Sequence, residues 1–291
     1  MILFLIFLIS AMLAMAVVLT WYFTKKSFSD HYLNDMRHLK RPRILFTITS
    51  IPSRLGKLTS LLRLLRRQTV LREDDAIVVN LPKHSVREDC PYILPDDLER
   101  LLAEKPFILN RVEDQGPLTK LMGTLVLAQP DDIIIPLDDD TYFPPEYFEE
   151  LVWHSLKHED TVFGYHGLEI RNGSYRFVQE HEGPVDVVET VTGAVYRKKF
   201  FSDSFGPEDG PCRLTDDIVI AAEMARNGVK RRVLKSARDA ETMRGRRDHM
   251  FYQDTEAENP LWKDNLGEIR HEWIKNNGNN TKCIDAHKGD W

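Results

Sequence analysis

The side chains best placed to do chemistry lie in one stretch, Asp131-Asp132-Ile133-Ile134-Ile135-Pro136-Leu137-Asp138-Asp139-Asp140-Thr141-Tyr142-Phe143-Pro144-Pro145. A short β-branched run bounded by Asp and Pro reads as a buried strand that empties into a loop. In extended backbone, residues two apart point the same way, so Asp138 and Asp140 share a face and Asp139 points away. Two carboxylates at a strand end suit a hard divalent cation. Mg²⁺ or Mn²⁺ takes one or two such oxygens and keeps positions open for substrate phosphates. The carboxyl ends of strands are also where α/β sheets bind ligands. The competing reading is a solvated Asp-rich loop capping a helix that starts near Pro145.

Other candidates are spread along the chain. Thr49, Ser50 and Arg54 follow an apolar strand at Arg43–Thr49, and either bind a ligand or serve as turn residues and a surface cation. Lys120 falls in the first turn of a helix that follows Gly116-Pro117-Leu118-Thr119. A cation at that anion-attracting end suggests a phosphate neighbour, or else a plain surface lysine. Gly193 lets backbone approach a ligand closely, or marks a β-bulge. Thr215-Asp216-Asp217 opens a helix, where Thr215 or Asp216 makes a good N-cap and the second acid is the candidate for chemistry. Met243–Asp248 is a basic loop ending at His249, a lone histidine that is either structural or a ligand.

These residues need elements to position them. Strand Arg43–Thr49, the leucines at 55, 58, 61, 62 and 65, and strand Ala76–Asn80 make a βαβ unit with parallel pairing. Phe107–Val112 is a third strand. It is followed by a helix with Leu121, Met122, Leu125 and Val126 inward, and Glu146–His158 is a further helix. Thr161–Tyr165, Tyr175–Val178, Val185–Val191 and Thr192–Tyr196 read as strands, the middle two in a sheet insertion. Val229–Ala237 closes the domain.

With 291 residues and 42% hydrophobic content the chain can fill one sizeable core, or at most two small ones. A net charge of −6 argues against a nucleic-acid partner. Cys90, Cys212 and Cys283 are far apart, fit no zinc spacing, and imply no particular disulfide. Residues 1–24 carry no charged side chain, and Trp21-Tyr22 and Lys25-Lys26 follow as an interfacial belt and stop. They read as an uncleaved transmembrane anchor, with 25–42 as a stem. The basic residues after the span favour a cytosolic domain. The sequons Asn172-Gly173-Ser174 and Asn279-Asn280-Thr281 favour a lumenal one, so orientation stays open.

Taken in order, Leu137-Asp138-Asp139-Asp140, Thr192-Gly193-Ala194, Thr215-Asp216-Asp217 and His249 resemble the landmarks of the GT-A-fold glycosyltransferases, family-2-like members with a "TED" motif above all. The resemblance covers roughly Arg43 to Tyr252. It implies an α/β fold with a Rossmann-like mixed sheet flanked by helices, here a catalytic domain at 43–252. The anchor precedes it, and the tail at 253–291, with Trp262, Trp273 and Trp291 among polar residues, is expected to pack on the domain. The resemblance further implies a nucleoside-diphosphate sugar as donor, and Mn²⁺ or Mg²⁺ held by Asp138 and Asp140 with His249 as a further ligand. Asp217 would be the general base, with Asp216 standing where Glu is commoner. Thr49, Ser50, Arg54, Lys120, Asp139 and Gly193 would form the donor site. The Gly116–Lys120 turn also looks like a stretch that lies near the nucleotide in some algal and viral relatives. The expected activity is inverting sugar transfer to the hydroxyl of a glycan, protein or lipid, by a single-pass protein of an endomembrane or the plasma membrane. The rivals are a nucleotidyltransferase on a similar sheet and a catalytically inactive binding module. A Ca²⁺-binding domain fits poorly, because the Asp loop lacks EF-hand alternation.

Overall fold

The structure is a computed structural model that describes residues 10, 12–16, 20, 32–36, 39–141, 143–172, 174–178, 182–235 and 279–291. The chain divides into two compact units, Met1–Arg41 and Pro42–Trp291. In the first, residues 12–16 and 32–36 are helical. Among the described residues no helix is long and apolar enough to cross a membrane. Most of the expected anchor at 1–24 lies outside them, as do the basic loop and His249.

The second unit is built on an eight-stranded mixed sheet. Its strands are β1 (Ile44–Ile48), β2 (Ala76–Pro82), β3 (Phe107–Val112), β4 (Ile133–Leu137), β5 (Thr161–Gly164), β8 (Gly183–Pro184), β10 (Ala194–Arg197) and β11 (Lys230–Val233). They lie side by side in the order β8-β11-β5-β10-β4-β1-β2-β3. A second sheet of three strands holds β6 (Gly167–Arg171), β7 (Ser174–Val178) and β9 (Val187–Val188), with β6 in the middle. The flanking helices are α1 (Leu55–Leu65), α2 (Asp96–Leu102), α3 (Thr119–Leu125), α4 (Glu149–Lys157), α5 (Asp216–Arg226) and α6 (Asn280–Ala286).

The βαβ reading of the sequence holds. β1 and β2 are parallel and joined through α1, where Leu55, Leu58, Leu61, Leu62 and Leu65 are all buried. Every residue of β1, β2 and β4 is buried, as near-continuous apolar strands covered on both faces must be. β4 lies parallel to β1 with Ile48 opposite Leu137, so the loops after both strands leave the same edge together. β10 runs antiparallel to β4 only at Ile133 and Ile134, then pairs with β5 at Phe163 and Gly164. Pro136 has no N–H to donate to a ladder, so the sheet forks there, just before the Asp loop.

Several expectations need correcting. Val126 is not inward but 85% exposed, because α3 stops at Leu125. The helix after the Asp loop starts at Glu149 rather than Glu146. Thr190–Thr192 is a 3-10 turn, not strand. Thr215 occupies the N-cap of α5 but makes no side-chain cap, since its hydroxyl donates to the Cys212 carbonyl at 3.1 Å. The last strand is shorter than expected, Lys230–Val233, and lies between β8 and β5 in the sheet. Cys212 and Cys283 form a disulfide that joins the entry to α5 with α6, and Cys283 and Ile284 sit in the core.

Candidate active site

Where β1 and β4 end, a cavity of about 270 Å³ opens, and its wall alternates acids and bases. Thr49, Ser50 and Arg54 enter it from the β1 loop, and Asp138, Asp139 and Asp140 from the β4 loop. Lys120 on α3 and Asp216 on α5 close the far side. Eight residues singled out by sequence therefore meet in one place.

The three carboxylates take different partners. Lys120 Nζ donates to Asp138 Oδ1 at 2.6 Å. Asp139 accepts from Ser50 Oγ at 2.6 Å and from Arg54 at 2.7 Å, and the same guanidinium stands 3.6 Å from Asp140. The alternation expected for Asp138 and Asp140 fails here because the strand ends at Leu137 and residues 139–140 turn. Asp139 points into the cavity instead of away from it.

Lys120 is the centre of the charge pattern. Its side chain is 3% exposed and also lies 2.8 Å from Asp216 Oδ2, as an ion pair, and 2.9 Å from Thr190 Oγ1. Burial works against its charge, but Asp138, Asp216 and Asp217 outweigh burial and hold the ammonium well above the ordinary lysine range. The anion beside this early-helix lysine is thus a pair of protein carboxylates.

Lys120 is fixed from below by a buried polar knot. Asn80, in the otherwise apolar β2, donates to Thr47 Oγ1, to the Lys120 carbonyl and to Thr124 Oγ1 at 2.8–2.9 Å. The Thr47 hydroxyl also donates to the Lys120 carbonyl, and Asn110 donates to Asn80 Oδ1 at 2.9 Å. Every member is partnered, which is what makes such a network rigid rather than costly. An Asn inside the buried strand Ala76–Pro82 is a local signal that such a partner set exists. Gly116, at φ 66°, lets the turn before α3 press on the Arg213 carbonyl, where a Cβ would come within 2.8 Å.

The two acids at the start of α5 diverge, as neighbours on a helix rotated by about 100° must. Asp216 faces the cavity. Asp217, half-buried, is not among the cavity's lining residues. Its Oδ1 accepts from the Thr190 amide at 2.9 Å and the Thr190 hydroxyl at 2.8 Å. Burial, then the charge of Asp216, push the Asp217 carboxyl well above the ordinary range, against the pull of Lys120.

Gly193 does not line the cavity. It sits at φ 79° against Phe148, whose ring a Cβ would meet at 2.5 Å, so it is small for packing. The site also gains residues that no local pattern singles out. The Tyr92 hydroxyl donates to the Ser50 carbonyl at 2.9 Å. Arg87 lines the cavity with a buried Nε that has no hydrogen-bond partner. Burial and the like charge of Arg54 lower the Arg87 pKa. Arg54 is taken by Asp139, so Arg87 is the guanidinium at this cavity with a buried nitrogen to offer an anion.

Asp138 and Asp140 offer hard oxygen donors, with side chains 35% and 21% exposed at the cavity. That donor set fits Mg²⁺ or Mn²⁺ and does not suit a soft metal.

No family model matches the sequence, and no curated protein matches it. Among solved structures, the chain is similar to GalNAc-T7 crystallised with UDP, GalNAc and Mn²⁺, with TM-score 0.49 and 12% identity over 86% of this chain and 55% of that one. The chain thus spans little more than half the length of that structure. It is also similar to S. aureus TarS 1-349, with TM-score 0.43 and 14% identity over 80% of this chain and 69% of that one. At these scores neither likeness bears on activity, which rests on the side chains of the site.

Proposed function

We propose that the chain is a metal-dependent glycosyltransferase that moves a sugar from a nucleoside-diphosphate donor to an acceptor hydroxyl with inversion. The observation that carries this reading is the cavity at the ends of β1 and β4, where Asp138 and Asp140 stand beside Arg54, Arg87 and Lys120. Carboxylates for a divalent cation next to cations for phosphate oxygens suit a diphosphate leaving group. A cation held by Asp138 and Asp140 supplies charge neutralisation for that group, and His249 is a candidate third ligand. Arg87 binds its oxygens, and Lys120 holds Asp138 and Asp216 in place beside it. Ser50 and Arg54 hold Asp139 and so fix the loop that carries Asp138 and Asp140.

Asp217 takes the proton from the acceptor hydroxyl. Its raised proton affinity brings it nearer the working pH of a general base, and both Thr190 hydrogen bonds fall on Oδ1, which directs the reaction to Oδ2. Asp216 keeps Lys120 in place on the donor side. Direct displacement with a base and no protein nucleophile inverts the anomeric centre. A nucleotidyltransferase would use the same cation but needs no base at Asp217. The uncharged stretch at 1–24 serves as a membrane anchor in this reading.

The test is turnover of a nucleotide-sugar panel by the full chain with and without Mn²⁺, beside an Asp138→Ala/Asp140→Ala variant. Metal-dependent release of a nucleoside diphosphate, lost in the variant, supports the proposal. A folded chain that neither binds nor turns over any donor overturns it in favour of a binding module.

A further inference from the structure

The hairpin of β6 and β7 carries a feature the donor site does not use. Its register pairs Arg171 with Ser174, leaving Asn172-Gly173 as a two-residue connection. Asn172 has φ 50° and is exposed, as are Arg171 and Ser174. Asn-Gly is a favoured hairpin turn, so turn geometry alone explains Asn172. It does not explain why the position after Gly173 completes an Asn-X-Ser acceptor sequence whose Asn172 and Ser174 are both exposed.

A second observation comes from elsewhere in the unit. The Cys212–Cys283 disulfide is buried and closes a sequence separation of 71 residues. Such bonds persist in oxidising compartments, which include the lumen where asparagine acquires glycans. The other sequon lies on the same staple. Asn279 caps α6, its side chain accepting from the Lys282 amide at 2.9 Å, and its own amide donates to the Pro211 carbonyl at 3.1 Å. That asparagine is half-buried and committed to the helix end, whereas Asn172 is exposed beside the β6–β7 connection.

We infer that Asn172 is an N-glycosylation site, and that the Pro42–Trp291 unit faces an oxidising, glycan-attaching compartment. In the step, Asn172 Nδ2 bonds to the anomeric carbon of an oligosaccharide supplied as a lipid diphosphate. The carbon–oxygen bond to phosphate breaks with its electron pair, the lipid diphosphate departs, and one amide proton passes to the base of the transferring enzyme. Asn172 lies outside the Arg171–Ser174 pair and is exposed, so a glycan on Nδ2 leaves that pair in place.

The experiment is expression of the full chain in eukaryotic cells, with electrophoresis before and after a glycosidase that removes N-linked glycans. Asn172→Gln, Ser174→Ala and Asn279→Gln are run in parallel. Ser174→Ala leaves the turn residues intact and so keeps the test independent of any strain in Asn172→Gln. The expected result is one glycosidase-sensitive step in the native chain, lost in Asn172→Gln and Ser174→Ala and kept in Asn279→Gln. No sensitive step, or one lost only in Asn279→Gln, overturns the inference. Free thiols at both Cys212 and Cys283 in the purified chain overturn it as well.

Discussion

The amide and the hydroxyl of Thr190 converge on a single oxygen of Asp217, at 2.9 and 2.8 Å. The same hydroxyl accepts from Lys120 at 2.9 Å, so one side chain links the donor-side lysine to the proposed base. Thr190→Val removes the hydroxyl and keeps the amide. A hydrogen bond to a charged group is worth about 1.5–3 kcal/mol, which predicts a roughly 10- to 100-fold loss of kcat with donor KM little changed. Thr190→Ser should restore kcat, and steady-state kinetics on the three proteins checks this.

Asp217→Asn is expected to lower turnover by roughly 10²- to 10⁴-fold, the usual contribution of a general base. Its effect on stability should have the opposite sign. Because the folded chain holds the Asp217 proton more tightly than the unfolded chain, the stability this group contributes is complete below the ordinary carboxylate pKa. It is lost as pH rises through the raised folded value. The Asn variant has no such titration. Thermal melts across pH should show it at least as stable as the native chain at neutral pH, with the advantage disappearing in acid.

Arg87→Met should weaken donor binding by roughly tenfold, as loss of one charge-assisted contact of about 1.5 kcal/mol predicts. The folded state keeps this guanidinium charged against burial and against Arg54, so its removal should leave Tm unchanged or raise it. A paired fall in Tm would assign Arg87 to structure instead.

Asn80→Ala strips the knot beneath Lys120 and leaves the buried Thr47 and Thr124 and the half-buried Asn110 short of a partner. Unsatisfied buried groups cost about 1–3 kcal/mol each, and a net loss of about 2–4 kcal/mol is expected in denaturant unfolding.

Cys283→Ser should cost about 2–5 kcal/mol, the usual range for a native disulfide. Reductant should lower the Tm of the native chain towards that of the variant and leave the variant unmoved.

Much of this was legible along the chain. Ile133–Leu137 is a strand because five consecutive apolar residues between turn signals bury best that way, and Leu55–Leu65 is a helix because its leucines recur at three and four. Such patterns are local, and parallel pairing of β1 with β4 then brings Ser50 to Asp139 across 89 residues. Sequence alone therefore determined the βαβ opening, the Asp loop at a strand end and the acid pair at a helix start. Only the tertiary structure decided which partner each carboxylate takes. It turned Asp139 inward, gave Lys120 to Asp138 and Asp216, set Asp217 on Thr190, and filled the space beside Gly193 with Phe148. Those choices depend on distances between residues far apart in sequence, and no spacing within one element encodes them.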